Sequence, residues 1–329
     1  MSIDQHADAV AGGGPGAGSA GPDGAGGPPL GFMTDLSEVA TIRTVTVPVA
    51  PGDPARAHGE GLDLVVAEAG VGGRPLLLVH GFTGAKEDFR DVVEPLAAAG
   101  HWVVAPDLRG HGASAHPAGE DAYGFDRFAA DLHGLVDALG WDGFDLLGHS
   151  MGGMVVQVVA AERPASIRRL ILMDTATGGV DGSDGGSAEN ADLMRLGIEL
   201  CRADGIEAIH AVLEMGDKPL DTPAHARMAE VPGWKEWEAE KFLASSPDMW
   251  CAMVEQFLTA EDRMDSLRDL PMPVLVLVGE QDRPFRKVSA AMSEAIPDAR
   301  LVVVPDAGHS PQFENPQHWY AAVTEFLAD

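Results

Sequence analysis

Leu147-Gly148-His149-Ser150-Met151-Gly152-Gly153 follows Phe144-Asp145-Leu146, which with it reads as a strand, and precedes an apolar stretch that begins at Met154. The segment predicts a strand, a sharp turn and a helix, with G-x-S-x-G lying across the turn. The spacing has a steric cause. A serine whose hydroxyl projects beyond the edge of a sheet must occupy a strained turn. Chain passes close on both sides of such a turn, and Gly148 and Gly152 carry no side chain to clash with it. The helix that follows aims its positive end at any oxygen held beside the serine, where negative charge would develop. A Gly-rich turn of a nucleotide-binding fold is the competing reading, but GHSMGG holds neither G-x-G-x-x-G nor a P-loop lysine.

Outward from this turn the chain alternates. TIRTVTVPV and LDLVVAEA form a hairpin-like β pair, and RPLLLVH, HWVVAPD, FDLLGHS and IRRLILMD follow as strands. EDFRDVVEPLAAAG, FDRFAADLHGLVDALG and MGGMVVQVVAAERP carry apolar residues at helical spacing, the first two closed by Gly and the third by Pro164. Strand–helix alternation means a mostly parallel sheet with helices on both faces, an α/β fold. The order breaks after Asp174, passes through a Gly/Asp/Ser-rich loop into helical sequence up to about residue 265, and resumes at PMPVLVLVGE and RLVVVPD. The expected organisation is a tail over 1–38, a core over 39–175 and 266–329, and a helical insert over 176–265. The tail, dominated by Gly, Ala and Pro, has too little to bury and is expected to be disordered.

A serine of ordinary acidity needs a base to act as a nucleophile. His309, on the loop Pro305-Asp306-Ala307-Gly308-His309-Ser310 after a strand, meets that need; His318 lies inside the final helix. The base needs a carboxylate to orient it. Asp282, after the strand PVLVLVGE, is preferred, with Asp174 at the end of LILMD as the rival and Glu280 a weaker one. Ser150, Asp282 and His309 then run in the chain order Ser…Asp…His. Oxyanion stabilisation needs two amides. Met151 N–H, just after the serine, is one candidate, and Phe82 N–H in His80-Gly81-Phe82-Thr83-Gly84 is the other.

Bulk properties narrow the partners. The 329 residues hold 22 basic and 51 acidic side chains, a formal charge of −29. Such a field repels polyanions, so neither nucleic acid nor anionic membrane is an expected partner. The two cysteines, Cys201 and Cys251, have no CxxC spacing and read as small buried residues in helices, so no metal or redox role is expected. The N-terminus lacks a basic start followed by an apolar stretch, and no run of about 18 apolar residues exists. A cytoplasmic location is the resulting expectation. The sequence leaves the oligomeric state open.

Taken together, HGFTG (80–84), DLRGHGAS (107–114), GHSMGG (148–153), GEQD (279–282) and AGHSPQFENP (307–316) resemble the α/β-hydrolase superfamily. The resemblance covers residues 41–329 and is greatest for the bacterial capped esterase and lactonase branch. It implies an α/β-hydrolase fold with the insert as a helical cap, no cofactor and no metal. It also implies architectural roles for Asp107, Arg109, Gly110, His111 and Gly112. The serine argues against the branches that use an aspartate nucleophile. Hydrolysis of a small to medium carboxylic ester or lactone is the implied activity. Carbon–carbon bond hydrolysis and perhydrolysis with the same residues, or ligand binding without catalysis, are the alternatives. Trp234, Trp237, Trp250 and Met253 in the insert are candidate substrate contacts, although such residues are more often core.

Overall fold

The computed structural model describes residues 32–179, 188–216 and 220–328. Eight strands form one sheet: β1 (Thr41–Pro48), β2 (Gly61–Ala69), β3 (Arg74–Val79), β4 (His101–Pro106), β5 (Phe144–His149), β6 (Ile167–Met173), β7 (Val274–Gly279) and β8 (Ala299–Val304). Their spatial order is β1-β2-β4-β3-β5-β6-β7-β8. β1, β2 and β4 pair antiparallel, and every pairing from β4 through β3 to β8 is parallel. This is the α/β-hydrolase fold.

The apolar runs explain the order. β5 and β7 are buried along their whole length, as strands covered on both faces must be. Phe125–Leu139 and Met151–Glu162 cover one face, where Leu77, Val79, Leu146, Leu172 and Val276 meet Phe128, Leu132 and Val155. Val93–Ala98 and Pro316–Ala328 cover the other, where Leu76, Leu78, Leu147 and Leu277 meet Leu96, Trp319 and Val323. Each such Leu or Val buried contributes roughly 1.5–3 kcal/mol before entropy is counted. The helix Phe125–Leu139 stops where Gly140 turns left-handed at φ +71°. The helix expected over 87–100 is shorter, a 3₁₀ turn at Lys86–Phe89 and then Val93–Ala98. Pro95 has no amide to bond backward and is tolerated only near a helix start.

Because β3 and β5–β8 are parallel, their carboxyl ends lie on one edge of the sheet. The register pairs Val79 with Gly148, His149 with Met173 and Gly279 with Val304. Residues 81–82, 150, 174, 282 and 309 all follow these ends. Between β6 and β7 the described chain is helical: Ala188–Asp204, Ile206–Met215, Pro223–Met228, Trp234–Leu243, Pro247–Thr259 and Met264–Leu267. Cys201 and Cys251 are free thiols buried among Ile198, Ile206, Ile209 and Trp250 of this insert. No helix among the described residues is long and apolar enough to cross a membrane.

Most of the Gly/Ala/Pro-rich tail, residues 1–31, lies outside the described residues. Residues 32–38, which composition assigns to the same tail, are docked. Met33 and Thr34 donate their amides to the Asp91 carboxylate at 3.1 and 2.8 Å, and Leu36 is buried in a short helix capped by Asp35. A window of local composition cannot register a carboxylate so far along the chain.

Candidate active site

Ser150 ends β5 with φ 53° and ψ −118°, a left-handed conformation that non-glycine residues rarely adopt. Several bonds hold it there. Its amide donates to the Met173 carbonyl at 2.9 Å, and its carbonyl accepts from Thr175 Oγ1 at 2.7 Å and from the Met154 amide at 3.2 Å. The glycines have the steric role their spacing implied. A Cβ on Gly152 would strike the carbonyl oxygens of Val79 and His80, and one on Gly148 would strike the Gly152 carbonyl oxygen and the Val156 side chain.

His309 reaches the serine from the loop after β8. Its Nε2 is 2.9 Å from Ser150 Oγ, and its Nδ1 is 2.7 Å from Asp282 Oδ2. A carboxylate can only accept, so Nδ1 carries the proton and Nε2 is left to accept from the serine hydroxyl. Asp282, 1% exposed, stands at the head of the helix Arg283–Ala295. Asp174, the rival acid, also lies behind the imidazole. Its Oδ1 accepts the Gly279 amide at 2.8 Å and its own amide donates to the Leu277 carbonyl at 2.9 Å, so it joins β6 to β7.

The oxyanion candidates converge on the same edge. Met151 begins its helix, where the first amides have no partner within the helix. Phe82 lies in a turn closed by Gly84 N–H to the Gly81 carbonyl at 3.1 Å, with Thr83 Oγ1 on the Phe82 carbonyl at 2.7 Å. Among the described hydrogen bonds neither the Phe82 nor the Met151 amide has a protein acceptor. Such a pair of amides beside a serine–imidazole–carboxylate relay can hold an oxyanion while a proton moves through the imidazole.

Around this lies a polar scaffold. His80 Nε2 accepts the Leu108 amide at 3.0 Å, so its Nδ1 donates to the Gly81 carbonyl at 2.8 Å. Burial holds His80 below the usual imidazole range. His149 Nε2 donates to the His309 carbonyl at 2.7 Å; burial, then the neighbouring His309, push its pKa down to about 3, so it stays neutral. Asp107 accepts the Lys86 amide at 2.8 Å, Lys86 Nζ at 2.9 Å and the Ala113 amide at 2.9 Å. Arg109 is paired with Asp131 and Asp53, and His111 packs edge-on against His80 at 4.9 Å. The loop 107–114 thus braces the turn at residues 80–86.

The aromatic candidates divide. Trp250 stands 6.1 Å from the Phe82 ring, and Phe257 at 5.1 Å completes an aromatic wall around it. Trp234, 2% exposed, packs on Trp237 and Phe313, while Met253 is fully buried in the main core. Trp237 is held between Arg90 and Lys241, each 4.1 Å from its ring. Trp234 and Met253 thus lie buried among other side chains of the fold. Phe285, which sequence reasoning passed over, places its ring 4.8 Å from that of His309.

Glu314 was passed over as well. Its Oε2 accepts the amides of Gly308 at 2.6 Å and Ser310 at 3.1 Å, on either side of His309. Burial raises its pKa while these two amides oppose the rise. The signal was present as a glutamate five residues after the histidine. Glu314→Ala is expected to lower kcat about ten-fold through a loosened His309 loop, with Glu314→Gln, which keeps an acceptor, recovering most of it. Steady-state kinetics on p-nitrophenyl acetate would read this, and equal kcat for Ala and wild type would refute the clamp.

Comparison with known proteins agrees with this frame. The Alpha/beta hydrolase family profile matches residues 76–323. Lipase 3 of Moraxella sp. (strain TA144) is 30% identical over 252 residues, 74% of each chain. 2-Hydroxymuconate semialdehyde hydrolase of Pseudomonas sp. (strain CF600) is 30% identical over 267 residues, 78% of this chain and 88% of that one. A thermophilic esterase from Thermogutta terrifontis superposes with a TM-score of 0.73 at 29% identity, covering 87% of this chain and 98% of its own. By sequence profile, by relatives along most of its length and by its sheet, the chain belongs to the alpha/beta hydrolase family.

Proposed function

We propose that this hydrolase cleaves a small to medium carboxylic ester or lactone through an acyl-enzyme on Ser150. The observation that carries the reading is the unbroken relay from Ser150 Oγ to His309 Nε2 at 2.9 Å and from His309 Nδ1 to Asp282 at 2.7 Å. Ser150 attacks the carbonyl as His309 takes its proton, and the Phe82 and Met151 amides hold the oxyanion. His309 then protonates the leaving alcohol, and afterwards draws a proton from the water that attacks the acyl-enzyme.

The insert serves as a cap in this reading. Trp250 rests on Phe82, the Ala224 amide bonds Gln281 Oε1 at 2.8 Å, Arg227 bonds the Asp306 carbonyl at 2.7 Å, and Lys241 pairs with Asp88 at 2.8 Å. These contacts fall on both the oxyanion turn and the loops that carry Asp282 and His309. The nearby rings, Phe82, Trp250, Phe257 and Phe285, favour a neutral, apolar acyl group.

Carbon–carbon bond hydrolysis is the second reading, supported by the similarity to 2-hydroxymuconate semialdehyde hydrolase. The uncharged wall and the net charge of −29 weigh against an anionic substrate. A fluorophosphonate probe at neutral pH is expected to label Ser150, and to fail on Ser150→Ala and His309→Ala. Unlabelled wild-type enzyme would then be compared on p-nitrophenyl esters, simple lactones and dienoic diketo acids. Folded wild type that takes no label would turn the assignment towards ligand binding without catalysis.

A further inference from the structure

Two carboxyl groups, not one, are buried behind the imidazole. Asp174 is 0% exposed and Asp282 1%. Single oxygen or nitrogen atoms of Asp174, Asp282 and His309 all lie within 4.8 Å of one another. The bonding of the two acids is unequal. Asp282 faces the imidazole N–H and stands at the head of a helix. Asp174 receives the Gly279 amide on Oδ1, but its Oδ2 is buried and finds no donor.

Two carboxylates this close and this dry cannot both be charged at little cost, so the pair retains a proton. The proton belongs on the member with less to stabilise its charge. We propose that Asp174 is a neutral carboxylic acid whose O–H bonds Asp282 from behind and positions the acid of the Ser150–His309–Asp282 relay. The proposal rests on the reading of that relay given above.

Several observations agree. A proton on Asp174 turns an acceptor–acceptor contact into a hydrogen bond and gives the stranded Oδ2 a partner. Burial, and next the charge and hydrogen bond of Asp282, push the Asp174 pKa well above the usual carboxylate range. The titratable groups that face Asp174 among the described residues are Asp282, His309 and Glu314. Two of these three are acids, and they favour its neutral form. The backbone fits the role: Asp174 sits at φ 45°, and its amide and Oδ1 are both tied to β7, the strand that leads to Asp282. Asp174 is thus a positioning residue, acting on His309 through Asp282.

The test has two arms. In the first, infrared difference spectra of wild type minus Asp174→Asn at pH 7, in H₂O and D₂O, are expected to show the C=O stretch of one protonated carboxylic acid. No substrate is needed, so this arm stands even if the ester assignment fails. In the second, kcat/KM for p-nitrophenyl acetate is followed against pH. Asp174→Ala is expected to lose about ten-fold or more in kcat, as for a lost bond to a charged group, and Asp174→Asn, which can still donate, to recover most of it. The acid limb for Asp174→Asn is expected to coincide with that of wild type, because no charge has been removed. An absent carboxylic-acid band would overturn the proposal. So would an acid limb moved to lower pH in Asp174→Asn, the mark of a lost negative charge beside the imidazole, or an Asp174→Ala variant with wild-type kcat.

Discussion

Turnover by Ser150→Ala is expected to fall by about 10⁴-fold or more, the scale on which removal of an attacking group acts when its partners work as a unit. Thr175 Oγ1, spent on the Ser150 carbonyl at 2.7 Å, is not free to take the serine's place. The variant should fold as wild type does. The Oγ bonds His309 and makes no other described hydrogen bond, while the strained turn is held by backbone contacts to Met173, Met154 and Thr175 that alanine keeps. His309→Ala should be nearly as severe, and the double variant little worse than either. Initial rates on p-nitrophenyl acetate, beside thermal melts of each variant, measure this. Near-normal turnover by a folded Ser150→Ala protein would sink the acyl-enzyme reading.

The largest effect on stability is expected at Arg109. Its guanidinium is 1% exposed, forks onto both oxygens of Asp131, reaches Asp53 at 2.8 Å and donates to the Ala122 carbonyl at 2.9 Å. It joins the loop after β4, the segment before β2 and the helix Phe125–Leu139. Arg109→Ala leaves the buried Asp131 without its ion-pair partner and Asp53 with only Arg127 at 4.0 Å, which costs about 3–5 kcal/mol. The pH dependence follows from the protons. Burial already raises the Asp131 pKa above its ordinary 3.8, with Arg109 opposing the rise. Without Arg109 the folded state binds a proton that the unfolded state releases, so the variant's stability falls as pH rises above about 4 and recovers on acidification. Urea midpoints at neutral and mildly acid pH should therefore show a deficit that shrinks in acid. A neutral-pH loss below about 1 kcal/mol would place Arg109 among ordinary surface pairs.

Much of the architecture could be read before any coordinates. The continuous apolar run RPLLLVH announced a strand covered on both faces, and Leu76, Leu77, Leu78 and Val79 of β3 are fully buried. The glycines around Ser150 announced close backbone approach, and Cβ atoms at 148 and 152 have no room. These features rest on neighbours in sequence, where spacing and steric volume are the whole physics.

The choice between Asp174 and Asp282 is of another kind. Both follow parallel strands on one sheet edge, and strand-end position treats them alike. Asp282 meets His309 Nδ1 because a helix begins at Asp282 and turns its carboxylate towards the loop after β8, while Asp174 is tied to Gly279. Glu314 on the His309 loop, Phe285 against the imidazole and Met33 against Asp91 were equally invisible, as was the burial of Trp234 and Met253. Local pattern therefore specified the elements, their order and the serine's turn. Which side chains meet across the ends of different strands was left to three-dimensional packing, because those contacts join segments whose separation along the chain carries no trace of their distance in space.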